Sequence, residues 1–265
     1  MDDLNQTGIY KRKRDFEIGG VGFCATTRTG FVNELMTVPT SPVSATVALI
    51  GVPGINSAKA NQRVADVYNN VSFAAIDGMP IVRIARKKGF NAERCAAPDI
   101  MKPIIRESIS QNKTHYFYGG KSDIVLERLK KNLESEFPEI RIVGAYSPPF
   151  RPLTEEEDRK VCADINEKKP DFLWIGIGAP KQELWMFDHR DKILNTRMIG
   201  VGAGFDFLAG TLDKAPKWME DASVEWLYRL YKEPRRLWRR YIVGGVKWLF
   251  ILFEERFKNS RKHND

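Results

Sequence analysis

Asp77 closes a predominantly apolar run and precedes Gly78, which places its carboxylate at a strand end. A general base there can take the proton of an attacking hydroxyl, although Asp-Gly is equally the composition of a tight turn, and both readings stand. Arg94 and Asp99 follow in the next loop, where an arginine can neutralise a departing diphosphate or simply pair with a surface carboxylate. The run from Gly176 to Glu183 sets glycines at a strand end and Pro180, Lys181 and Gln182 at a helix start. Free backbone N–H groups there can hold phosphate and Gln182 can hydrogen-bond a base or sugar; the alternative is a tight strand-to-helix turn. Gly202 to Asp206 imitates part of a dinucleotide fingerprint but follows the last apparent strand, not the first, so Asp206 reads either as a nucleotide contact or as a cap. Gly119-Gly120-Lys121 is another glycine-rich strand end. Arg229, Arg236 and Arg239 have spacings that favour one helix face, although Pro234 argues against an unbroken helix.

From residue 45 onward, short apolar runs alternate with helical patterns. That alternation predicts an α/β fold, a Rossmann-like parallel sheet flanked by helices, with a small helical basic C-terminal appendage. Strands are expected over 46–51, 72–76, 114–118, 140–144, 171–177 and 197–202, and helices near 57–69, 80–88, 99–111, 122–136, 154–168 and 180–193. Thr154 before Glu155, Glu156 and Glu157 is a helix start, as is Ser122 before Asp123, and Pro234 opens a helix in the appendage. In such a sheet ligands bind beyond the carboxyl ends of the strands, where the polar and glycine-rich positions fall. The expected organisation is an irregular segment over 1–43, a nucleotide-sugar-binding catalytic domain over 44–212, and a basic aromatic appendage over 213–265.

The 265 residues carry a net charge of +8, and from Lys214 to the end 13 Lys/Arg face 7 Asp/Glu, so most of the excess is local to the appendage. Such a patch attracts RNA, anionic lipid or a diphosphate, and charge alone does not choose among them. Three cysteines with no CxxC pair point away from a disulfide framework and towards a reducing cytoplasm, and three histidines leave little for a His-rich metal site. No secretory signal is expected at the start. The apolar run 241–253, interrupted by Lys247, is too short to span a bilayer but suits lying on one.

The ordered segments DGMPIVRIARKKG, YFYGGKSD, IVGAYSPPF, PDFLWIGIGAPKQELW, IGVGAGFDFLAG, KAPKWM and EWLYRLYKEPRRLWRRY resemble the WecG/TagA/CpsF glycosyltransferases, glycosyltransferase family 26, over roughly residues 45 to 250. The resemblance implies an inverting, metal-independent transfer from a UDP-sugar, often an N-acetylhexosamine derivative, to a polyprenyl-diphosphate-linked saccharide at the inner face of the cell membrane. It implies Asp77 as base and Arg94 beside the donor diphosphate. It also implies Gly119, Gln182 and Asp206 in the donor site, and Arg229, Arg236 and Arg239 as tail arginines that complete that site. The partners expected are the UDP-sugar, the lipid-linked acceptor, an anionic membrane surface and a second copy of the chain; no cofactor, metal or nucleic acid is expected. Two positions depart from the family's pattern. Leu49-Ile50-Gly51, with Asn56 and Ser57 nearby, stands where a Thr-x-Asn motif is usual, and Ala97-Pro98-Asp99 replaces Gly-Ser/Thr-Asp.

Two other classes fit parts of the pattern. A nucleotide-dependent oxidoreductase would use Gly202 and Gly204, and an RNA-binding module would use the basic aromatic tail, though no complete fingerprint of either kind is present.

Overall fold

Six apolar runs form the strands of one parallel sheet in a computed structural model that describes residues 10–40, 43–216, 218–219 and 224–261. The strands are β3 (Ala45–Ile50), β4 (Phe73–Ile76), β5 (Thr114–Gly119), β6 (Arg141–Tyr146), β7 (Phe172–Gly176) and β8 (Arg197–Gly200). They lie side by side in the order β4-β3-β8-β7-β5-β6, and every pairing is parallel. All residues of β3, β4 and β8 are buried, as covering by helices on both faces requires. The parallel arrangement sets every strand's carboxyl end on one edge, where Asp77, Gly119, the Gly176–Gln182 turn and the Gly202–Asp206 turn meet.

The covering helices are α2 (Val52–Ala60), α3 (Gln62–Asn70), α4 (Met79–Lys87), α5 (Ala97–Ser110), α6 (Asp123–Glu136), α7 (Glu155–Lys168), α8 (Lys181–His189) and the short α9 (Gly204–Leu208). Local chemistry explains their starts. The Thr154 hydroxyl accepts from Glu157 N–H while the Glu157 carboxylate accepts from Thr154 N–H, and the Ser122 side chain accepts from Val125 N–H. The helix expected near 57–69 is instead two, because the Asn61 side chain accepts from the N–H groups of Arg63 and Val64 and so starts a new helix.

The irregular segment expected over 1–43 needs correction. Phe16–Ile18 (β1) and Val21–Phe23 (β2) pair as an antiparallel hairpin, and α1 spans Arg28–Thr37. The signal was Gly19-Gly20, both at positive φ (61° and 82°), which is the backbone of a two-residue hairpin turn whose twist suits the flanking strands. The strands are only three residues each, too short for the alternation that marks longer ones. The hairpin covers the open side of β4 through the Cys24–Ala75 bridge. Buried Arg197 secures α1 by donating to the carbonyls of Leu35, Met36 and Val38 at that helix's end.

Deep in the sheet a polar chain is fully accounted for. The Trp174 indole N–H donates to His115 Nδ1 at 3.0 Å, which requires the ring proton on Nε2, 2.8 Å from Ser108 Oγ, and that hydroxyl donates onward to Ile105 O. Burial lowers the His115 pKa to about 4, so the ring is neutral and structural.

Residues after 212 fold as α10 (Glu225–Lys232), α11 (Pro234–Trp238), one π-helical turn over Arg239–Val243 and α12 (Gly244–Arg261). Pro234 occupies the first helical position after Glu233 breaks away at φ −133° and ψ 60°.

Candidate active site

Asp77 follows β4 directly, and its N–H donates to Ile50 O, continuing the parallel pairing by one step beyond the strand. Asp77 is half-buried at the sheet edge, and burial pushes its carboxyl up to about 6. Arg94, Arg240 and Arg229 oppose that rise and Glu225 adds to it. A base with a pKa near neutrality both exists as carboxylate and retains proton affinity, the compromise that general-base catalysis favours.

Arg94 sits in the loop between α4 and α5 with 16% of its side chain exposed, 2.5 Å from Glu225 and 3.1 Å from Asp99. Burial works against its charge, but the hydrogen bond to Glu225 and the fields of Glu225, Asp77 and Asp99 raise its pKa above the ordinary value. Asp99 also receives Lys214 at 3.4 Å. The result is a strip of alternating charge in which a tail carboxylate, Glu225, holds one edge of the Arg94 guanidinium.

Gly119 ends β5 at φ +133°, and a Cβ there would lie 2.6 Å from the Gly176 backbone. Its glycine is therefore required by the close approach of β5 and β7, which also lets Gly120 N–H donate to Gly176 O. Gln182 is 3% exposed; its Oε1 accepts from Gly202 N–H and its Nε2 donates to Glu183, both at 2.9 Å. Gln182 thus links the turns after β7 and β8. Glu183, which the sequence did not single out, is 1% exposed with its Oε2 lacking a partner among the described residues, and burial pushes its carboxyl up to about 7. Asp206 is also buried, paired with Lys121 at 3.0 Å and with the Thr211 hydroxyl at 3.3 Å, so it braces the β5 and β8 turns and caps the chain leaving α9.

The tail comes over this edge. The Arg229 guanidinium lies over the Phe207 ring at 5.8 Å and helps to line a cavity of about 210 Å³ with Asp213, Tyr228 and Lys232. The Arg236 side chain lies outside the described residues. Arg239 lies over the Trp238 ring at 5.4 Å, and it is Arg240, not Arg239, whose charge joins that of Arg229 at Asp77. The expected common face of Arg229 and Arg239 is lost because the chain breaks at Glu233 and the π turn adds a residue per turn around Arg239. Sequence spacing held no sign of that turn, and none of Glu225 as a partner for Arg94.

Asn56, near the place of the missing Thr-x-Asn motif, donates to Gly244 O at 2.9 Å and so ties α2 to the start of α12. Trp248 and Ile251 of α12 are buried in the main core, and Glu255 accepts from Gly19 N–H at 3.3 Å. The opposite face exposes Ile242, Val246, Leu249, Phe250, Phe253 and Phe257, spacings that lie on one side of a helix. No helix among the described residues is long and apolar enough to cross a membrane.

The family described as Glycosyl transferase WecG/TagA/CpsF matches residues 16–262. A relative from Bacillus subtilis (strain 168), an N-acetylglucosaminyldiphosphoundecaprenol N-acetyl-beta-D-mannosaminyltransferase, is 30% identical over 197 residues, 74% of either chain. A protein of the same name from Bacillus spizizenii (strain ATCC 23059 / NRRL B-14472 / W23) is 26% identical over 248 residues, 93% of either chain. With nearly all of its α/β body and its tail inside one match, and with the polar strand ends gathered on one sheet edge, the chain belongs to the WecG/TagA/CpsF family of glycosyl transferases.

Proposed function

We propose that the chain transfers an N-acetylated hexosamine from a UDP-sugar to a polyprenyl-diphosphate-linked N-acetylglucosamine at the inner face of a bacterial membrane, with inversion and without a metal at the reacting centre. The observation that carries the chemistry is Asp77, a carboxyl near pKa 6 at the ligand-binding edge of the sheet, with the cations of Arg94, Arg229 and Arg240 around it. Asp77 takes the proton of the acceptor hydroxyl as its oxygen bonds to the sugar's anomeric carbon. The bond from that carbon to the UDP oxygen breaks, and the charge left on the diphosphate is neutralised by arginine, with no divalent ion needed for that purpose. One displacement from the face opposite the leaving group inverts the anomeric centre. The donor diphosphate takes the Arg94 edge from Glu225, which makes donor binding and tail position interdependent.

The acceptor comes from the names of the relatives, and the exposed face of α12 supports a membrane-bound location. Ile242 to Phe257 form an apolar strip flanked by Arg239, Lys247 and Arg256, the composition of a helix lying in a lipid interface.

The test is a panel of UDP-sugars with the full chain and synthetic lipid-linked N-acetylglucosamine, following UDP release and the extended lipid together, with and without chelator. Equal release of UDP and lipid product from one donor, insensitive to chelator, is expected. Hydride transfer to NAD(P), salt-sensitive RNA binding without sugar transfer, or a strict divalent-metal requirement would each overturn the reading.

A further inference from the structure

On the face of the sheet covered by α7 and α8, three side chains of different donor chemistry converge. Asp158 and Cys162 lie four residues apart on α7, on one helix face, and His189 closes α8. A carboxylate oxygen, the thiol sulfur and a ring nitrogen lie within 4.8 Å of one another. None of the three belongs to the cluster around Asp77 and Arg94, and none has a step in the transfer chemistry.

The lone-pair arrangement at His189 is unusual. Nδ1 is 2.7 Å from the Trp185 carbonyl, which can only accept, so Nδ1 carries a proton. Nε2 faces both oxygens of Asp158, at 2.9 and 3.0 Å, and in a neutral ring would turn a lone pair towards two more acceptors. Nε2 and the Asp158 carboxylate thus face each other directly, with the Cys162 sulfur within 4.8 Å of both. In metal sites the ring N–H that does not bind the metal is held by a carbonyl or carboxylate, as Nδ1 is held here by the Trp185 carbonyl, which leaves Nε2 to ligate. The ring is further clamped by Trp185, stacked on it at 4.2 Å and itself stacked on Tyr118 at 4.4 Å. The His189 and Cys162 side chains are nearly buried, whereas Asp158 is 26% exposed, which leaves one side for water. Lys192, 57% exposed, also pairs with the Asp158 carboxylate at 3.9 Å.

We propose that Asp158, Cys162 and His189 form a zinc site with water as the fourth ligand. The mixed nitrogen, sulfur and oxygen donor set suits zinc over magnesium or calcium. Bonds of about 2.0 to 2.3 Å to one tetrahedral ion set donor atoms roughly 3.3 to 3.6 Å apart, so binding moves Nε2 and the Asp158 oxygen slightly apart from their 2.9 Å contact. Binding releases the thiol proton of Cys162, and any proton on Nε2, to solvent. The metal joins α7 to α8, and Gln182 lies seven residues, about 10 Å, before His189 on the same helix. Its role is structural: it stabilises the packing of α7 on α8 and leaves the transfer step, which needs no metal, unchanged.

The test strips the full-length protein of metal with a chelator and titrates it with cobalt(II) and with zinc. One equivalent of cobalt(II) with a thiolate-to-cobalt charge-transfer band is expected, together with a zinc-dependent rise in Tm. The band should vanish in Cys162→Ser but persist in Cys24→Ser and Cys95→Ser, and His189→Gln should abolish the zinc-dependent rise while keeping the circular dichroism of the parent. Absence of the band or of the Tm shift in the parent protein overturns the proposal and leaves a hydrogen-bonded His189–Asp158 pair. UDP-sugar transfer is measured separately, so failure of the metal site and failure of the glycosyl-transfer reading are distinguishable.

Discussion

The sheet body and the C-terminal appendage bury apolar surface to opposite degrees. Strands β3, β4 and β8 are buried throughout, and the helices over them are closed by caps such as Thr154 and Ser122. From Pro234 to the end of α12, by contrast, Leu237, Trp248 and Ile251 are buried while a strip of large apolar side chains faces outward. At the site the two regions differ again. The body contributes a carboxylate, Asp77, and one cation, Arg94, whereas the tail contributes the cations of Arg229 and Arg240 and the competing carboxylate of Glu225. The body's geometry thus rests on extensive buried surface, whereas the tail is held to it by a few polar contacts and a small buried patch.

The sharpest test of this division is Asp77→Asn. It should lower kcat by roughly 10²- to 10⁴-fold, as removal of a general base does, without moving the tail. In the parent, activity should rise with pH through about 6 as Asp77 ionises. Stability runs the other way. A carboxyl that binds its proton more tightly when folded costs stability as pH rises from about 4 to 6, and the cost remains above that window. The Asn variant should match the parent in Tm near pH 4 and exceed it at pH 8, and a lower Tm at pH 8 would break the assignment.

Next in size is the contrast between two adjacent tail arginines. Arg240→Ala should lower kcat/KM about 10- to 100-fold by removing a cation from the site, while Arg239→Ala should leave it within about twofold. Equal losses would mean that the π turn does not separate their roles. Phe250→Asp with Phe253→Asp should reduce flotation with vesicles containing anionic lipid by about tenfold, with Tm unchanged because both side chains are already exposed. An unchanged flotation profile would remove the membrane from the account of the tail.

Glu225→Gln should lower KM for the UDP-sugar several-fold by freeing Arg94, and hydrogen exchange in α10 should become faster in the absence of donor. Tighter donor binding without looser tail docking would show that the two regions are not coupled through this pair. The smallest effect on transfer belongs to Glu183→Gln, within the body. Since the buried Glu183 carboxyl is raised to about 7, the variant should equal the parent in stability near pH 4 and gain on it until about pH 7, as measured by urea denaturation.

Much of the body was legible because its signals are local. The expected strands lie within two residues of those observed at nearly every end, and Thr154, Ser122 and Pro234 start helices where their chemistry says they should. The hairpin at Gly19-Gly20 was missed because three-residue strands carry too little periodicity, and Asn61 divided one helical pattern into two. At the site, the residue types at the strand ends marked the correct edge of the sheet, but their individual duties depended on neighbours. Gly119 proved to serve the approach of two backbones, and Gln182 and Asp206 to tie turns together.

By itself, then, the sequence determined the alternation of strands and helices, the glycine-rich edge, the basic aromatic tail and the family to which they belong, since each is written in adjacent residues or in ordered segments. The tertiary structure alone decided that Glu225, 131 residues away, would hold Arg94, that the charges of Arg229 and Arg240 would act at Asp77, and that Glu183 would be buried with an oxygen unpartnered among the described residues. Charge and desolvation act through space, and no periodicity along the chain records which distant groups the fold brings within a few ångströms of one another.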